Sequence, residues 1–511
     1  MPHETISFVT SEIFKEDTGV NKPVSSTTQA LKNKHLVERF LRESDSTRSL
    51  LLWLENSSHS LEQFDKTSVL PFLLKAIERI DRQLEQQLNA IIHHDAFQAL
   101  EASWRGVLYL VQQQDLHDKD QKVKVKMLDC CWTTLSKDIN RAIEFDQSDF
   151  FKLIYNNEYD MSGGEPFGTL IGDYQITHKS RPGVSTNDID ILKEISRTAA
   201  AAFAPFITSA SPSLFGADDF SDLSAHMNIA KIFEQHEYIK WNSLRKMDDS
   251  RFIGLTMPNI LMRSPYLIDG TRSEGFKFKE SIKNPKKDHL WGNAAYAFGG
   301  VLIRAFSESG WFGHIRGLEP GARKKGLVCD LAVSQYEPDL YRKRMKPSVD
   351  LLISDRAEKS ISDQGFIPLS PVLGCEHLVF YSNASVQKPP KYELLEDSIN
   401  AKLSSMLQYI LCVSRFAHYI KVLGREKIGS LHSAEACQRE LQLWLHKYTT
   451  ASDVSSDDVR SKYPLRSAQV QVKEIRGKPG HFYSIIQLQP HFQLDQMVSS
   501  IKLVTELTSR N

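Results

Sequence analysis

Apolar positions change period along this chain, and each change marks an element. From Val69 to Gln114 they recur at helical spacing, and Phe97, Leu100, Trp104, Leu108 and Val111 line up as one stripe. The same spacing predicts helices over Leu135–Tyr159, Asp188–Phe203, Ile229–Arg245, Asn293–Ser309, Ser398–Val422 and Ala434–Tyr448. Thr186 or Asn187 caps the second of these, and Pro205 and Pro212 lie beyond its end. Gly299 and Gly300 fall inside a predicted helix, where each costs roughly 1 kcal/mol against Ala. Close approach by another backbone is the expected reason. Strict alternation predicts a strand at Lys122–Leu128 (KVKVKML), and a short buried strand follows over Gly168–Tyr174. Residues 326–386 read as short strands and turns, and Ser452–Asp458 reads as a linker. No 20–50-residue repeat appears. Strands and helices mix without regular βαβ alternation, which predicts a multi-domain α+β fold.

The C-terminal tail, RSAQVQVKEIRGKPGHFYSIIQLQPH from Arg466 to His491, carries the sharpest pattern. Val470, Val472 and Ile475 fall on or near one face, and Gln469, Gln471 and Lys473 on the other. Gly477, Pro479 and Gly480 supply a turn, so a hairpin is predicted, with strands at Ala468–Ile475 and Phe482–Leu488. A strand pair at a chain end offers free N–H and C=O groups that can template a strand from another chain. At the other end, Leu31, His35, Leu36, Phe40 and Leu41 recur at helical spacing. That helix either docks on its own core or serves as an arm for a partner.

Lys plus Arg and Asp plus Glu number 63 each among the 511 residues, so the formal net charge is zero. This balance gives no bulk attraction to nucleic acid or an anionic membrane, and it permits dense association. The six cysteines, at 130, 131, 329, 375, 412 and 437, show no zinc spacing and suit a reducing compartment. The N-terminal MPHETISFVTSEIFKED lacks the basic and apolar regions of a secretory signal, and Leu290–Ile303 is too short to span a bilayer. A cytosolic chain is expected. Catalytic signals are weak. Gly163–Gly168 lacks the Lys-Ser/Thr of a phosphate loop, and His93-His94-Asp95 reads as a solvated helix face. Cys130-Cys131 does not suit a disulfide, and no nucleophile elbow, zinc-protease motif or dinucleotide fingerprint is present. Neither cofactor nor metal is expected.

Several motifs in one order carry a resemblance. They are Ser103-Trp-Arg-Gly-Val-Leu-Tyr-Leu-Val111, Glu158-Tyr with Gly163-Gly-Glu-Pro-Phe-Gly168, Ala204-Pro-Phe-Ile-Thr-Ser-Ala-Ser-Pro212 and Asp249-Ser-Arg-Phe-Ile-Gly-Leu-Thr-Met-Pro258. Trp291-Gly-Asn-Ala-Ala-Tyr-Ala297, Ile353-Ser-Asp-Arg356 with Gly365-Phe-Ile, and Gln387-Lys-Pro389 follow. Arg415-Phe-Ala-His-Tyr-Ile-Lys-Val-Leu-Gly-Arg-Glu-Lys-Ile-Gly429, Pro464-Leu-Arg and Pro490-His-Phe492 close the series. Over roughly residues 60–507 the chain resembles the large subunit of the type VI secretion contractile sheath, the TssC/VipB family.

The resemblance implies a cytoplasmic structural protein, not an enzyme, with a C-terminal part like that of phage tail sheath proteins. It implies an obligate small partner of the TssB/VipA type, an inner tube of Hcp, neighbouring sheath protomers, a baseplate, and the ATPase ClpV acting on an N-terminal helix. Three regions are expected: an N-terminal arm (1–60), a mixed body (61–395) and a C-terminal core (396–511). Strand exchange is placed on Gln469, Val470, Gln471, Val472, Ile475, Tyr483, Ile485 and Leu488, and the ClpV helix on Leu31, Leu36, Phe40 and Leu41, with Ile6–Phe14 as its rival. Val472→Pro is expected to abolish polymers by removing a ladder donor. The competing readings are a sheath from another contractile injection system and a soluble enzyme with a site near His314, Arg316 and Asp355.

Overall fold

After a short helical segment at residues 37–42, the chain continues through α1 (Ser46–Asn56), α2 (Lys66–Ile92) and α3 (Asp95–His117). A computed structural model describes residues 35–507 apart from residue 36 and short internal stretches, chiefly 57–65, 182–185, 224–227, 271–274, 318–325, 373–376, 427–433, 451–456, 475–481 and 492–500. Contacts divide the chain into residues 1–86 and 87–511. In the first unit, Phe40 packs on Trp53 with ring centroids 5.9 Å apart. In the second, the chain breaks between α2 and α3 at the two histidines. His94 Nδ1 accepts from the Ala96 N–H at 3.3 Å and caps α3, while half-buried His93 meets Glu280 at 3.1 Å. These histidines are a helix boundary rather than the solvated helix face that the sequence suggested.

The buried side of α3 is Ala102, Gly106, Tyr109, Leu110 and Gln113. It lies on a later helix that contains Gly299 and Gly300, where side chains, rather than the expected second backbone, account for the glycines. A Cβ on Gly299 would stand 2.8 Å from Leu110, and one on Gly300 would stand 2.7 Å from the Tyr109 ring. Tyr109 cannot yield, because it is buried and donates to the Cys329 carbonyl at 3.0 Å. Gly300→Val is therefore expected to lower stability by about 1–3 kcal/mol, measured as a lower urea midpoint at unchanged slope.

Lys122–Leu128 forms no regular secondary structure and pairs with no strand among the described residues. Its alternation has another cause. Lys124 reaches Glu165 and Lys126 reaches Glu158, each at 2.6 Å, while Val123 packs on the cluster around Tyr109 and Leu110. Beyond it, α4 (Trp132–Arg141) ends early, and Leu135–Tyr159 is not one helix. The Asp138 carboxylate accepts from the Asp149 and Phe150 N–H groups and starts a new turn. That turn leads into a π-helix, Lys152–Asp160, along which Phe151, Tyr155 and Tyr159 stack at 5.0 and 4.7 Å.

A six-stranded sheet forms the centre, in the order β1 (Leu170–Ile176), β2 (Phe206–Ala210), β3 (Ile253–Met257), β9 (Ile367–Pro371), β10 (Leu378–Phe380) and β6 (Leu327–Val328). β1 (Leu170–Ile176) crosses through α5 (Asp188–Ala202, capped by Asn187) to β2 (Phe206–Ala210), and β3 (Ile253–Met257) continues the parallel run. The predicted helix Ile229–Arg245 is split, with Ile229–Phe233 first and α6 (Ile239–Arg245) second. Asn242 donates to the Phe233 carbonyl at the break, and Phe233, Tyr238 and Trp241 fill the space beneath. β4 (Ile260–Leu261) pairs with β5 (Trp291–Gly292), and α7 (Ala294–Ser309) follows, capped by Asn293. β6 (Leu327–Val328) is an edge of the central sheet, and β7 (Ser334–Asp339) pairs with β8 (Arg342–Lys346). The strand-rich region also contains a helix, α8 (Asp355–Asp363). Its one apolar stripe, Ala357 and Ile361, is too narrow to stand out in sequence. β9 (Ile367–Pro371) is parallel to β3, and β10 (Leu378–Phe380) is antiparallel to both β9 and β6.

The two sheet faces carry different cores. Phe206, Ile253, Leu255 and Met257 pack with α5, while Ile207, Ile367 and Leu369 pack with α7. The predicted helix over Ser398–Val422 is two helices, α9 (Leu395–Ser404) and α10 (Leu407–Glu426). They break where Met406 bridges Ala384 and the Leu407 N–H donates to the Asn383 carbonyl. Leu407 and Leu411 of α10 belong to the central core, whereas Cys412, Val413, Phe416, Ala417 and Ile420 belong to the C-terminal one. One rigid helix thus joins the two cores.

That helix also grips the C-terminal end of α5. His418 is wholly buried against the Ala202 carbonyl, and burial pushes its pKa down to about 3, so it stays neutral. Lys421 donates to the Ala201 carbonyl and sits 4.7–5.0 Å from the centroids of Tyr155, Tyr159 and Phe203. Burial lowers its ammonium from 10.5 to about 8. Between about pH 8 and 10.5 the unfolded chain then binds the proton that the folded chain has lost, so stability rises with pH there. Lys421→Met is expected to flatten that rise, measured by urea melts across the window.

Candidate assembly surface

The C-terminal unit of structure is a three-stranded antiparallel sheet of β11 (Leu465–Glu474), β12 (Phe482–Pro490) and β13 (Ile501–Leu507), with β12 in the centre. Its inner face is Ala468, Val470 and Val472 on β11 and Ile486 and Leu488 on β12. These pack on α10 and on α11 (Ala434–His446) around Trp311, which stacks on Phe416 at 4.2 Å. Gln469, Gln471 and Lys473 face outward, as their alternation requires.

The residues singled out in the tail divide between two faces. Val470, Val472 and Leu488 are core; Gln469 and Gln471 are exposed; Tyr483 and Ile485 are half-buried on the outer side; Ile475 lies outside the described residues. The structure also corrects the role of Val472. Its N–H points away from β12 and donates to Gln438 Oε1 on α11 at 3.1 Å. The Val470 N–H likewise donates to Gln442 Oε1, at 2.9 Å. In an antiparallel pair successive residues aim at opposite edges, so the ladder donors to β12 are Gln469, Gln471 and Lys473. At the N-terminus, Leu31, Leu36 and Ile6–Phe14 lie outside the described residues; Leu41 is exposed on a helical segment and Phe40 is half-buried.

Among the described residues, a stripe of large apolar side chains on α3 is left uncovered. Leu100 and Trp104 are each 58% exposed and Leu108 is 50% exposed, flanked by Phe97 and Val111. Sequence periodicity found these five residues, but it could not say which side of the helix met the core. The small residues Ala102 and Gly106 let α7 approach the opposite side, and the large apolar ones are left outside. After Val123, the run 124–128 exposes Val125, Met127 and Leu128 as well. α2 repeats the theme, with Leu70, Leu74, Ile77 and Leu84 exposed along one long helix. Contiguous apolar surface of this kind is a mark of protein–protein contact.

Chemistry is sparse by comparison. Among the described residues no group of three or more His, Cys, Asp or Glu is placed to hold a metal ion. His314 lies outside the described residues, and the Arg316 guanidinium sits 3.7 Å from Met406 Sδ. No helix among the described residues is long and apolar enough to cross a membrane.

A mixed α+β body joined by one helix to a small sheet, with apolar helix faces left uncovered, suits a structural subunit of an assembly. The comparisons with known proteins agree. The VipB family model for the EvpB/VC_A0108 tail sheath N-terminal domain matches residues 74–387, and that for the tail sheath gpW/gp25-like domain matches residues 396–507. The type VI secretion system sheath protein TssC1 of Pseudomonas aeruginosa is 36% identical over 459 residues, which cover 89% of this chain and 90% of that protein. The chain belongs to the VipB/EvpB tail sheath family; it is a sheath subunit and not an enzyme.

Proposed function

We propose that the chain is the large subunit of a two-component contractile sheath in the bacterial cytoplasm. It pairs with a small TssB/VipA-type subunit, and the heterodimers stack as a helical tube around Hcp, seated on a baseplate. Contraction, a rigid-body rotation across bistable interfaces, drives the inner tube and its spike outward without a nucleotide. Residues 1–60 form an outer arm whose helix, at Leu31–Leu41, is the grip for ClpV. Residues 61–395 form the body, and 396–511 the core whose sheet exchanges strands with neighbours.

The observation that carries this reading is the uncovered stripe Phe97–Leu100–Trp104–Leu108–Val111 on a helix whose other side is fully packed. Water is a poor neighbour for such a stripe, and a partner's apolar helix is a good one. The test is negative-stain electron microscopy of the chain expressed alone and with the small-subunit gene. Ribbed hollow tubes only in the co-expressed sample support a two-component sheath. Tubes from the chain alone point instead to a one-component contractile injection sheath, and single particles in both samples overturn the assembly reading.

A further inference from the structure

The outer edge of β11 is already occupied by side chains. Gln442 Oε1 accepts from the Val470 N–H at 2.9 Å, and its Nε2 donates to the Ala468 carbonyl at 2.8 Å. Gln438 Oε1, one helical turn away, accepts from the Val472 N–H at 3.1 Å. The fit has a geometric cause. Four residues of helix advance about 6.0 Å and two residues of strand about 6.7 Å, so amides at i and i+4 match alternate N–H groups of a strand. Helix and strand run in opposite senses, since Gln438 meets Val472 and Gln442 meets Val470. The Gln442 carboxamide reproduces the donor and acceptor that a peptide unit of a neighbouring strand would offer. His446, a further turn along α11, lies 3.1 Å from Gln442 Nε2.

An open edge strand is a template for association. Natural sheets close such edges with charges, bulges or a covering helix. Here the covering helix also satisfies the edge's hydrogen bonds, so an incoming strand gains no new bond until it has broken these.

We propose that Gln438 and Gln442 stand in for a fourth strand and keep the outer edge of β11 closed, in the free chain and in the assembled sheath alike. Strand exchange is thereby confined to the β13 side of the sheet. The closure itself is a property of the single chain; its bearing on exchange rests on the function proposed above.

Three variants of the full chain test it: Gln438→Ala/Gln442→Ala together, Gln438→Ala alone, and Gln438→Glu alone. Ala keeps helix propensity but removes the amides, and Glu at 438 keeps an acceptor toward Val472. By hydrogen–deuterium exchange, the double Ala variant should exchange at Val470 and Val472 at least tenfold faster than the parent, with Gln471 and Lys473 unchanged. Its mass by light scattering should rise with concentration where the parent's does not. Gln438→Glu should keep the protection at Val472 that Gln438→Ala loses. With the small subunit co-expressed, the double Ala variant should still form tubes. Unchanged exchange at Val470 and Val472, or equal loss in the Glu and Ala variants, overturns the closure. A double variant that remains folded but loses the tubes its parent forms shows the outer edge in use and overturns the proposal. If the exchange and scattering results are as expected but the parent also forms no tubes, the closure stands and the sheath reading falls.

Discussion

Trp104→Glu combined with Leu108→Lys is expected to abolish co-purification with the small subunit and the formation of tubes, and to leave the chain folded. Both side chains are at least half exposed on α3, while the residues that hold the helix in place, Gly106, Tyr109 and Leu110, point the other way. The substitutions therefore remove no core contact, and the far-UV circular dichroism and urea midpoint should match the parent's. In an interface the same positions would act as large apolar anchors. Truncating such an anchor costs about 2 kcal/mol or more, and carrying a charged group into its place adds a desolvation cost. Two anchors lost together should weaken pairing on the order of a thousandfold. A folded variant that still co-purifies with the small subunit would show that another face is the docking surface.

Gln471→Pro and Val472→Pro are expected to differ sharply although the positions are adjacent. Gln471 turns its N–H to β12, its neighbour in the ladder opposite Ile485. Proline there removes a ladder donor and leaves an acceptor unpaired, a loss of at least about 1–3 kcal/mol at the centre of the hairpin. The C-terminal sheet should open, measured as rapid exchange across 465–490, and tubes should be lost. Val472 instead donates outward to Gln438. Edge positions tolerate proline, so Val472→Pro should lose one side-chain bond, retain the β11–β12 ladder and still form tubes. Equal damage from both substitutions would contradict the assigned direction of the ladder.

Much of the local structure was legible in the chain. The periods of 3.6 and 2 located α3, α5, α7, α11 and the β11–β12 pair, and Asn187 and Asn293 cap helices as their side-chain chemistry suggests. Legibility failed where contacts distant in sequence interrupt a pattern. Leu135–Tyr159 reads as one helix until Asp138 captures two later N–H groups, and Ser398–Val422 does so until Met406 meets Ala384. Lys122–Leu128 alternates because its lysines find Glu158 and Glu165, not because a strand lies beside it.

The sequence by itself determined which faces are apolar, where the chain can turn, and, through an ordered series of motifs, the sheath family. Tertiary structure alone decided which apolar face is buried and which is offered. On α3 the choice fell to the small side chains, because only the Ala102–Gly106 side lets α7 come close enough to pack, and the larger stripe was left outside. On β11 it fell to α11, whose turn-by-turn advance matches the strand's and so closes one edge of the sheet. Periodicity is a property of a single element, whereas burial and edge closure are properties of a pair. The second member of each pair lies far away in the chain.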